Sequence, residues 1–272
     1  MPYDWVVITW IAGMHLGALV APFTFSWSAL VVAVALWWLT GGLGVCLCYH
    51  RLLTHRSFRV ARPLEYGLTL CGVLASQGSA ITWVARHRLH HAYSDTADDP
   101  HSPRHGFWWS HVIWLLRREP RLNDDALGRA YAVDLIRDPV HRLLARTHAA
   151  YPILLGVALY FWGGLPVLVW GLFVRTVVVY HVTWFVNSAA HAWGHQTYAV
   201  DNDARNLWWV ALLSFGEGWH NNHHAFPRSA RHGLKRWECD QTYLTIKVLQ
   251  WLGLAADVRI PGSPGLPPAR VR

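Results

Sequence analysis

Three short histidine-rich boxes contain the residues best suited to chemistry. They read His50-Arg-Leu-Leu-Thr-His55, His87-Arg-Leu-His90-His91 and His220-Asn-Asn-His223-His224. In the second and third boxes the histidines occupy positions i, i+3 and i+4, which lie on one face of a helix within a single turn. Neutral imidazoles that converge in this way bind iron, zinc or copper. The boxes therefore predict a metal site.

The first box has a different spacing. Positions i and i+5 lie about 140° apart on a straight α-helix, so His50 and His55 can face one metal only if the helix ends or deforms between them. A further pair, Asn187 and His191, is spaced i, i+4. With His191 the boxes supply nine imidazoles, more than the three or four ligands that one zinc ion takes. This number favours two adjacent metal ions of higher coordination number.

The composition indicates that lipid surrounds much of the fold. Of 272 residues, 53% are hydrophobic and 15% are charged, whereas soluble domains carry about 25% charged residues. The four cysteines form no Cys-x-x-Cys pair, which argues against a disulfide scaffold and against a thiolate zinc site. The formal net charge is +8, but the basic residues flank apolar runs, so we expect no nucleic-acid partner.

Four apolar runs are long enough to cross a hydrocarbon core of about 30 Å as helices. They cover residues 5–25, 27–49, 143–161 and 166–190, and two short uncharged turns join them into two hairpins. Segments 50–148 and 191–272 contain every Lys and Arg except Arg175, so the positive-inside rule places both in the cytoplasm. We expect Arg175 to face another helix or to extend towards the membrane interface.

These runs predict one integral-membrane domain over residues 1–272. Its cytosolic cap would comprise 50–142 and 191–260, and the Pro-, Gly- and Arg-rich segment 261–272 would be a disordered tail. A fifth apolar stretch, residues 66–84, is nearly long enough to span. A crossing there would place the first two boxes on opposite sides of the membrane, so we expect this stretch to be re-entrant or interfacial. The excess of Arg over Lys favours a bacterial source and hence the inner (plasma) membrane, with the active site cytoplasmic.

The boxes, together with Gly216-Glu-Gly-Trp-His220, resemble those of the membrane-bound fatty acyl desaturases of the stearoyl-CoA (delta-9) type, in a form without a fused haem domain. The resemblance runs from about residue 49 to 251 and includes Trp83-Val-Ala-Arg-His87 and Asp99-Pro-His101. It implies an all-α membrane protein with four transmembrane helices in two hairpins and a helical cytosolic cap that holds a His-rich di-iron centre. The metal ligands that it implies are His50, His55, His87, His90, His91, His191, His220, His223 and His224, with Asn187 acting through a water molecule.

The resemblance also implies an activity. The protein would be an oxidoreductase that introduces a cis double bond, at the delta-9 position, into a saturated acyl chain carried on CoA or on a lipid. Two iron ions and the co-substrate dioxygen would provide the oxidant, because no side chain can oxidise an unactivated methylene. The chain has neither a haem domain nor a ferredoxin-like Cys set, so electrons must come from a separate protein such as a ferredoxin or a haem-b cytochrome.

Four acidic residues lie beside the boxes. Metal-bound imidazoles usually donate their second N–H to a carboxylate or a carbonyl, so we expect such contacts with Asp95, Asp98, Asp99 and Glu217. The other nine histidines are expected to be structural or to support the ligands; they are His15, His101, His105, His111, His141, His148, His181, His195 and His232.

A fatty acyl chain requires an apolar tunnel that reaches the metals. The resemblance implies that Gln77, Trp83 and Thr183 line the tunnel near its bend. Trp38 and Gly42 are one turn apart on the second run, and we expect them to limit the depth of the tunnel. Trp38 lies about 18 Å from His50 along a helix, which suits the distal half of an acyl chain.

The polar end of the substrate leaves two possibilities open. Arg118 and the other cap residues Arg86, Arg104 and Arg117 are candidates to bind the phosphates of CoA. A basic loop also binds anionic lipid headgroups. The sequence therefore does not separate acyl-CoA from acyl-lipid substrates.

Three rival functions use the same features. A histidine-box hydroxylase of alkanes, sterols or carotenoids would need the same metals and oxygen. A metal transporter or sensor is a rival from another class, although transporters place polar ligands near the bilayer midplane, whereas these boxes lie at one rim. A bis-His haem protein would need facing histidines within the spans, and only His15 and His181 qualify.

Overall fold

A computed structural model describes residues 1–119 and 124–263, and these residues are mostly helical. The strands in this part of the chain are β1 (Arg59–Val60) and β2 (Ala255–Ala256), which pair antiparallel. Most of the predicted tail, 261–272, lies outside the described residues. In chain order the α-helices are α1 (Trp5–Ala18), α2 (Trp27–Trp37), α3 (Arg62–Val73), α4 (Ala80–Tyr93), α5 (Phe107–His111), α6 (Asp124–Tyr131), α7 (Val133–Arg137), α8 (Pro139–Thr147), α9 (Ala150–Leu168), α10 (Arg175–Asn187), α11 (Ala189–Ala192), α12 (Trp208–Leu213), α13 (His220–Ala225) and α14 (Gln241–Trp251). Within residues 1–119 and 124–263 the chain also forms π-helical segments at Trp38–Thr54 and Val169–Val174 and short 3₁₀ segments at Ala21–Phe23, Pro103–His105 and Ile113–Leu116.

Three helical segments among the described residues are long and apolar enough to cross a membrane. They are Trp5–Phe23, Trp27–Thr54 and Ala150–Ala192. Side-chain caps mark where the first two begin, because Asp4 accepts from the N–H groups of Val6 and Val7, and Ser26 accepts from that of Ala29. The structure agrees with a membrane protein, but it offers three candidate spans where the sequence predicted four.

The third candidate is not a straight helix. It is 43 residues long and leaves helical geometry at Gly163 and Gly164, where φ is −140° and 68°. A Cβ atom on Gly156 would lie 2.8 Å from Cδ2 of Leu172, although a straight helix would separate these residues by about 24 Å. The chain therefore folds back at the two glycines, and the positive φ of Gly164 is one that glycine adopts without steric cost.

The second candidate span ends as a long π-helix. In this conformation the backbone hydrogen bonds join residues five apart, and the N–H of His55 donates to the carbonyl of His50 at 3.1 Å. The two rings consequently lie one above the other, with centroids 4.8 Å apart. The deformation that the i, i+5 spacing required is confirmed, as a change of helix type.

The apolar stretch 66–84 is divided between two helices and is not among the candidate spans. Between α3 and α4 the backbone turns at Ser76 and Gly78, where φ is 61° and 92°, and the Ser79 side chain caps α4. Arg175 is buried and donates to the carbonyl of Leu74 at 2.8 Å. As expected, this arginine faces another helix, where it satisfies a carbonyl at the end of α3.

A shared apolar core holds the box-bearing elements together. Leu47, Val84, Leu135 and Ile246 are buried in one cluster that joins the π-helical segment Trp38–Thr54 to α4, α7 and α14. Each side chain of this kind contributes about 1.5–3 kcal/mol when it is buried. The first and second boxes are thus fixed relative to one another by packing that does not involve a metal.

Candidate metal centre

Five imidazoles from three parts of the chain converge on one point. One histidine lies in the π-helical segment Trp38–Thr54 and one directly follows it, two lie on α4 and one on α13. Their ligand atoms all lie within 4.8 Å of one another. We call them the five-imidazole group: His50, His55, His87, His91 and His223. The Nε2 atom of His223 lies 2.9 Å from that of His91 and 3.2 Å from that of His50.

Four further imidazoles converge beside them. His90, His191, His220 and His224 form the four-imidazole group, whose ligand atoms also lie within 4.8 Å of one another. The two groups are neighbours, because the rings of His91 and His224 stack with centroids 4.7 Å apart. All nine imidazoles that the resemblance implied are thus brought together. Asn187 is half-buried near the end of α10, four residues before His191.

The ring nitrogens of both groups are placed as metal ligands would be. Nδ1 of His50 lies 2.7 Å from a carboxylate oxygen of Glu217, and its Nε2 lies 3.2 Å from Nε2 of His223. The Nε2 atoms of His55 and His191 are buried with no hydrogen-bond partner among the described residues. A metal ion would satisfy these nitrogens, whose burial without a partner costs free energy.

Burial favours the neutral form that a metal requires. It lowers the pKa of His87, His91 and His223 well below the usual imidazole range, and the neighbouring imidazoles lower it further. The same causes lower the pKa of His220 and His224. The donor set of each group therefore suits one ion of the kind that neutral imidazole binds.

Buried carboxylates orient three of the imidazoles. Besides the contact between Glu217 and His50, Nδ1 of His90 lies 2.9 Å from Asp99, and Nδ1 of His191 lies 3.1 Å from Asp95. Such contacts fix the tautomer and direct Nε2 towards a metal. Asp98, which was expected to make a similar contact, is exposed and its backbone N–H donates to Thr96. The turn after α4, where Asp95 has a φ of 61°, directs Asp95 and Asp99 inward and Asp98 outward.

The carboxylates are held in the charged state. Burial raises the pKa of Glu217, but the positive charge of Arg51 and the adjacent His50 and His232 outweigh it, so the pKa lies well below the usual range. Burial also raises the pKa of Asp99, and His101 and His90 outweigh it in the same way. Both imidazole groups therefore face buried negative charge.

Two of the histidines expected to be structural or to support the ligands lie directly behind the groups. Nδ1 of His232 is 3.0 Å from Glu217, and its ring centroid is 4.5 Å from that of His223. The ring of His101 stacks on His90 at 4.4 Å and its Nδ1 is 3.6 Å from Asp99. The Asp99-Pro-His101 motif was a usable signal for His101, whereas no spacing relates His232 to a box.

An apolar cavity of about 600 Å³ reaches both groups. His50 and His87 line it from the five-imidazole group, His220 lines it from the other, and Asn187 also contributes to its wall. Trp83, Gln77 and Thr183 form a hydrogen-bonded row on this wall. The indole N–H of Trp83 donates to Gln77 at 3.1 Å, and the amide of Gln77 donates to Thr183 at 2.8 Å.

A sequence model described as "Fatty acid desaturase" matches residues 3–246. The chain belongs to this family. The desaturase is 51% identical over 259 residues to the sn-1 stearoyl-lipid 9-desaturase of Anabaena variabilis, with 94% of each chain covered. It is 48% identical over 255 residues to the sn-2 palmitoyl-lipid 9-desaturase of Nostoc sp. (strain 36), which covers 93% of this chain and 90% of the relative. It is 48% identical over 261 residues to the chloroplastic palmitoyl-monogalactosyldiacylglycerol delta-7 desaturase of Arabidopsis thaliana, which covers 96% and 70%.

These similarities confirm the predicted family and the predicted class of enzyme, an oxidoreductase that acts on acyl chains. They do not favour the hydroxylase or the metal transporter. His15 and His181, the pair considered for a haem, lie with their Nε2 atoms 3.1 Å apart. His181 also contacts His111 at 3.0 Å, so these rings form a hydrogen-bonded row with no space for a haem between them.

Two expectations about the tunnel of the desaturase are wrong. Trp38 is 46% exposed, and neither it nor Gly42 is among the residues that line the cavity. Trp37 and Gly41 line it instead. The prediction used the periodicity of an α-helix, whereas the π-helical segment has more residues per turn and presents a different face to the cavity.

The expected role of Arg118 also lacks support in the geometry. The side chain is exposed, pairs with Asp4 at 3.3 Å, and does not line the cavity. The neighbouring Arg117 lies over the ring of Tyr3 at 3.8 Å. These two arginines bind the N-terminal residues, because the chain before α1 pairs with the segment after Leu116.

Proposed function

We propose that this desaturase introduces a cis double bond, at the delta-9 position, into a saturated acyl chain esterified to a membrane lipid. The apolar cavity that reaches imidazoles of both groups is the observation that carries the proposal. The names of the three relatives, each an acyl-lipid desaturase and two of them 9-desaturases, support the substrate class and the position.

The mouth of the cavity favours a lipid over acyl-CoA. Val6 and Thr9 line the cavity although they are exposed on α1, which belongs to a candidate membrane span. Arg86 is the one Arg or Lys among the described lining residues, whereas the phosphates of CoA call for several cationic groups. An acyl chain can therefore enter from the bilayer while its headgroup stays at the interface.

We propose that the third candidate span comprises two crossings, one before the fold-back at Gly163 and Gly164 and one after it, over residues 165–187. The chain would then have four spans in two hairpins, and one membrane domain over residues 1–272. The fold-back at Gly163 and Gly164 supports this topology. The positive-inside rule supports a cytoplasmic cap, formed by 50–142 and 191–260, on the inner membrane of a bacterium.

We propose that the nine imidazoles of the two groups hold two iron ions, with Asn187 as a further contributor through water. When bound, two irons supply the electrons and the oxidising power that dioxygen chemistry at a methylene requires. The donor sets support this assignment because they are neutral, convergent and backed by buried carboxylates. A separate protein, such as a ferredoxin or a haem-b cytochrome, would deliver the external electrons.

The cavity wall orients the acyl chain. Trp83 stacks on His87 with centroids 5.0 Å apart, so the row formed with Gln77 and Thr183 lies beside the metal ligands. The apolar residues Val45, Val179 and Phe215 line the same cavity and exclude water from it. The methylene held next to His50 and His87 is then the one that reacts, which fixes the position of the double bond.

Expression in a desaturase-deficient bacterium tests the proposal. Lipid classes are separated before methyl-ester analysis, and the expected product is a monounsaturated chain in glycerolipids, two hydrogens lighter than its precursor. A product heavier by one oxygen would contradict desaturation. Conversion of acyl-CoA in detergent, with no conversion of lipid in vesicles, would contradict the lipid substrate.

A pair of neighbouring tryptophans tests the tunnel. Trp37 lines the cavity and contacts Phe215 with ring centroids 4.8 Å apart, whereas Trp38 faces outward. Trp37→Ala should shift the product towards longer chains, and Trp38→Ala should leave the chain-length profile unchanged. The reverse result would mean that the cavity does not hold the distal part of the acyl chain.

A further inference from the structure

A second cavity approaches the metal centre from the side that the acyl chain does not use. Its volume is about 580 Å³, and His55 and His91 form its inner end. The apolar cavity contacts His50 and His87 of the same five-imidazole group. The group therefore has two separate approaches, one apolar and one polar.

Basic residues surround the polar approach. Its lining includes Arg56, Arg88 and Arg228 and one described acidic residue, Asp134. Asp134 is shared, because it pairs with both Arg88 and Arg56. Burial raises the pKa of Asp134, but its bonds to these arginines outweigh the effect and lower the pKa to about 2, so the carboxylate is charged.

The charge is not balanced within the cavity. Three guanidinium groups face one carboxylate, which leaves a net charge of +2 among the described lining residues. Arg88 is half-buried and fixed by the carbonyls of Leu53 and Tyr131 at 2.6 and 2.7 Å. Arg228 is exposed, and no acidic partner for it is found within residues 1–119 and 124–263. A partner surface that meets this rim would have to be acidic.

The chemistry of the proposed function requires such a partner. Each turnover removes two hydrogen atoms from the acyl chain and reduces one dioxygen to two water molecules, so two electrons and two protons must come from outside. A nicotinamide delivers its electrons together as hydride, which an imidazole-ligated metal does not accept. A protein carrier that transfers single electrons fits the site better.

We propose that this second cavity is the docking site of an acidic one-electron carrier protein and that electrons enter the centre beside His55 and His91. The inference rests on the proposed function. Arg228 and the exposed Val133, which also lines the cavity, would lie in the contact. Because rim charges act mainly on encounter between proteins, they should change the KM for the carrier and not the rate at saturation.

The test uses the full-length, metal-loaded desaturase in lipid vesicles and a reduced plant-type [2Fe–2S] ferredoxin as the probe. Arg228→Glu should raise the KM for ferredoxin about tenfold and leave kcat within about twofold. Arg228→Lys keeps the charge and should retain the KM. Arg146→Glu alters an exposed arginine outside the cavity and serves as the matched control.

Variants at a second position, Val133, test the docking site even if the Arg228 variant does not fold. Val133→Glu should raise the KM, Val133→Lys should lower it, and added salt should reduce both differences because it screens the charges. Iron content should be unchanged in every variant. The yield of a single turnover should also be unchanged when the protein is reduced without oxygen by dithionite and methyl viologen as the small reductant, freed of the excess, and then exposed to dioxygen. If the Glu variants lost as much activity with the small reductant as with ferredoxin, the docking site would be overturned. An unchanged KM for ferredoxin in both Glu variants would also overturn it.

Turnover with NADPH alone would also overturn it, in favour of a nucleotide site. Failure of the docking site and failure of the proposed function give different results. A wild-type protein that forms no double bond with ferredoxin or with the small reductant refutes the function itself. A wild-type protein that forms it with a KM insensitive to the rim charges refutes only the docking site.

Discussion

The two imidazole groups differ in the number of imidazoles and in the buried negative charge that lies behind them. The five-imidazole group is backed by Glu217, which is shared with the buried Arg51 at 3.0 Å. The four-imidazole group is backed by Asp95 and Asp99, and neither pairs with a Lys or Arg among the described residues. The group with fewer imidazoles thus faces more uncompensated negative charge. We infer that its carboxylates replace part of what a fifth ligand supplies.

Removal of one imidazole from each group should have the largest effect. His55 and His191 are matched, because both are buried and both have an Nε2 atom without a hydrogen-bond partner. His55→Ala leaves four imidazoles and should retain more iron than His191→Ala, which leaves three. Both should lose at least about 100-fold in activity, because the ligands act as a unit. Metal analysis and product assays check this. Equal iron loss in the two variants would show that the number of imidazoles does not decide how well each group retains its metal.

Neutralisation of the carboxylates should have the next largest effect. Asp99→Asn should lower iron affinity by about 10–100-fold, as is usual for partners of metal-bound histidines. Glu217→Gln removes one of the two carboxylates that neutralise Arg51, and Asp240 remains 2.9 Å away. We expect this variant to unfold more easily, with a loss of up to about 3–5 kcal/mol. Iron titration and thermal unfolding of both variants would separate the two roles, and identical profiles would argue against them.

The histidines behind the groups should have smaller effects. His232→Leu removes a contact of 3.0 Å to Glu217 and should weaken iron binding about two- to tenfold, less than the loss of a direct partner of a metal-bound histidine. His101→Leu removes a contact of 3.6 Å to Asp99 and should change the affinity for iron less than about twofold. Competition with a chelator measures both affinities. A larger effect at His101 would show that the distances do not rank these contacts.

Acid should destabilise the metal-free protein by a few degrees. Six histidines of the two groups have a pKa below the value of about 6.5 that they have in the unfolded chain. As the pH falls below about 6.5, the unfolded chain therefore binds protons first, and stability decreases. The unfolding temperature of the metal-free protein should be constant above pH 7 and fall towards pH 5. Replacement of His87, His91 and His223 by Gln should flatten this dependence more than replacement of His220 and His224.

The sequence predicted which imidazoles converge because spacing on a helix is a local property. The i, i+3, i+4 boxes place their imidazoles on one face whatever the rest of the chain does, and α4 and α13 carry them as expected. The prediction failed where local geometry departs from the α-helix. The π-helical segment brought His50 and His55 together, but it also placed Trp37 and not Trp38 at the cavity.

Other features depended on contacts between distant residues. Arg118 was expected at the substrate, but Asp4, distant in sequence, accepts its hydrogen bond. His232 approaches Glu217 because the segment after α13 folds back, and no pattern in the sequence reports that turn. Asp98 and Asp99 are adjacent in sequence, but in the turn after α4 only Asp99 is buried beside an imidazole of the four-imidazole group.

The separation of the ligands along the chain has a consequence for biosynthesis. His50 and His223 meet in the five-imidazole group although 173 residues separate them. At about 5–20 residues per second, a ribosome needs on the order of 10–30 s to add the second after the first. In the proposed topology the first hairpin would lie in the bilayer during that interval, with the imidazoles of the first box unpartnered. The five-imidazole group is completed only near the end of translation, so loading of the proposed metals would belong to the last stage of assembly.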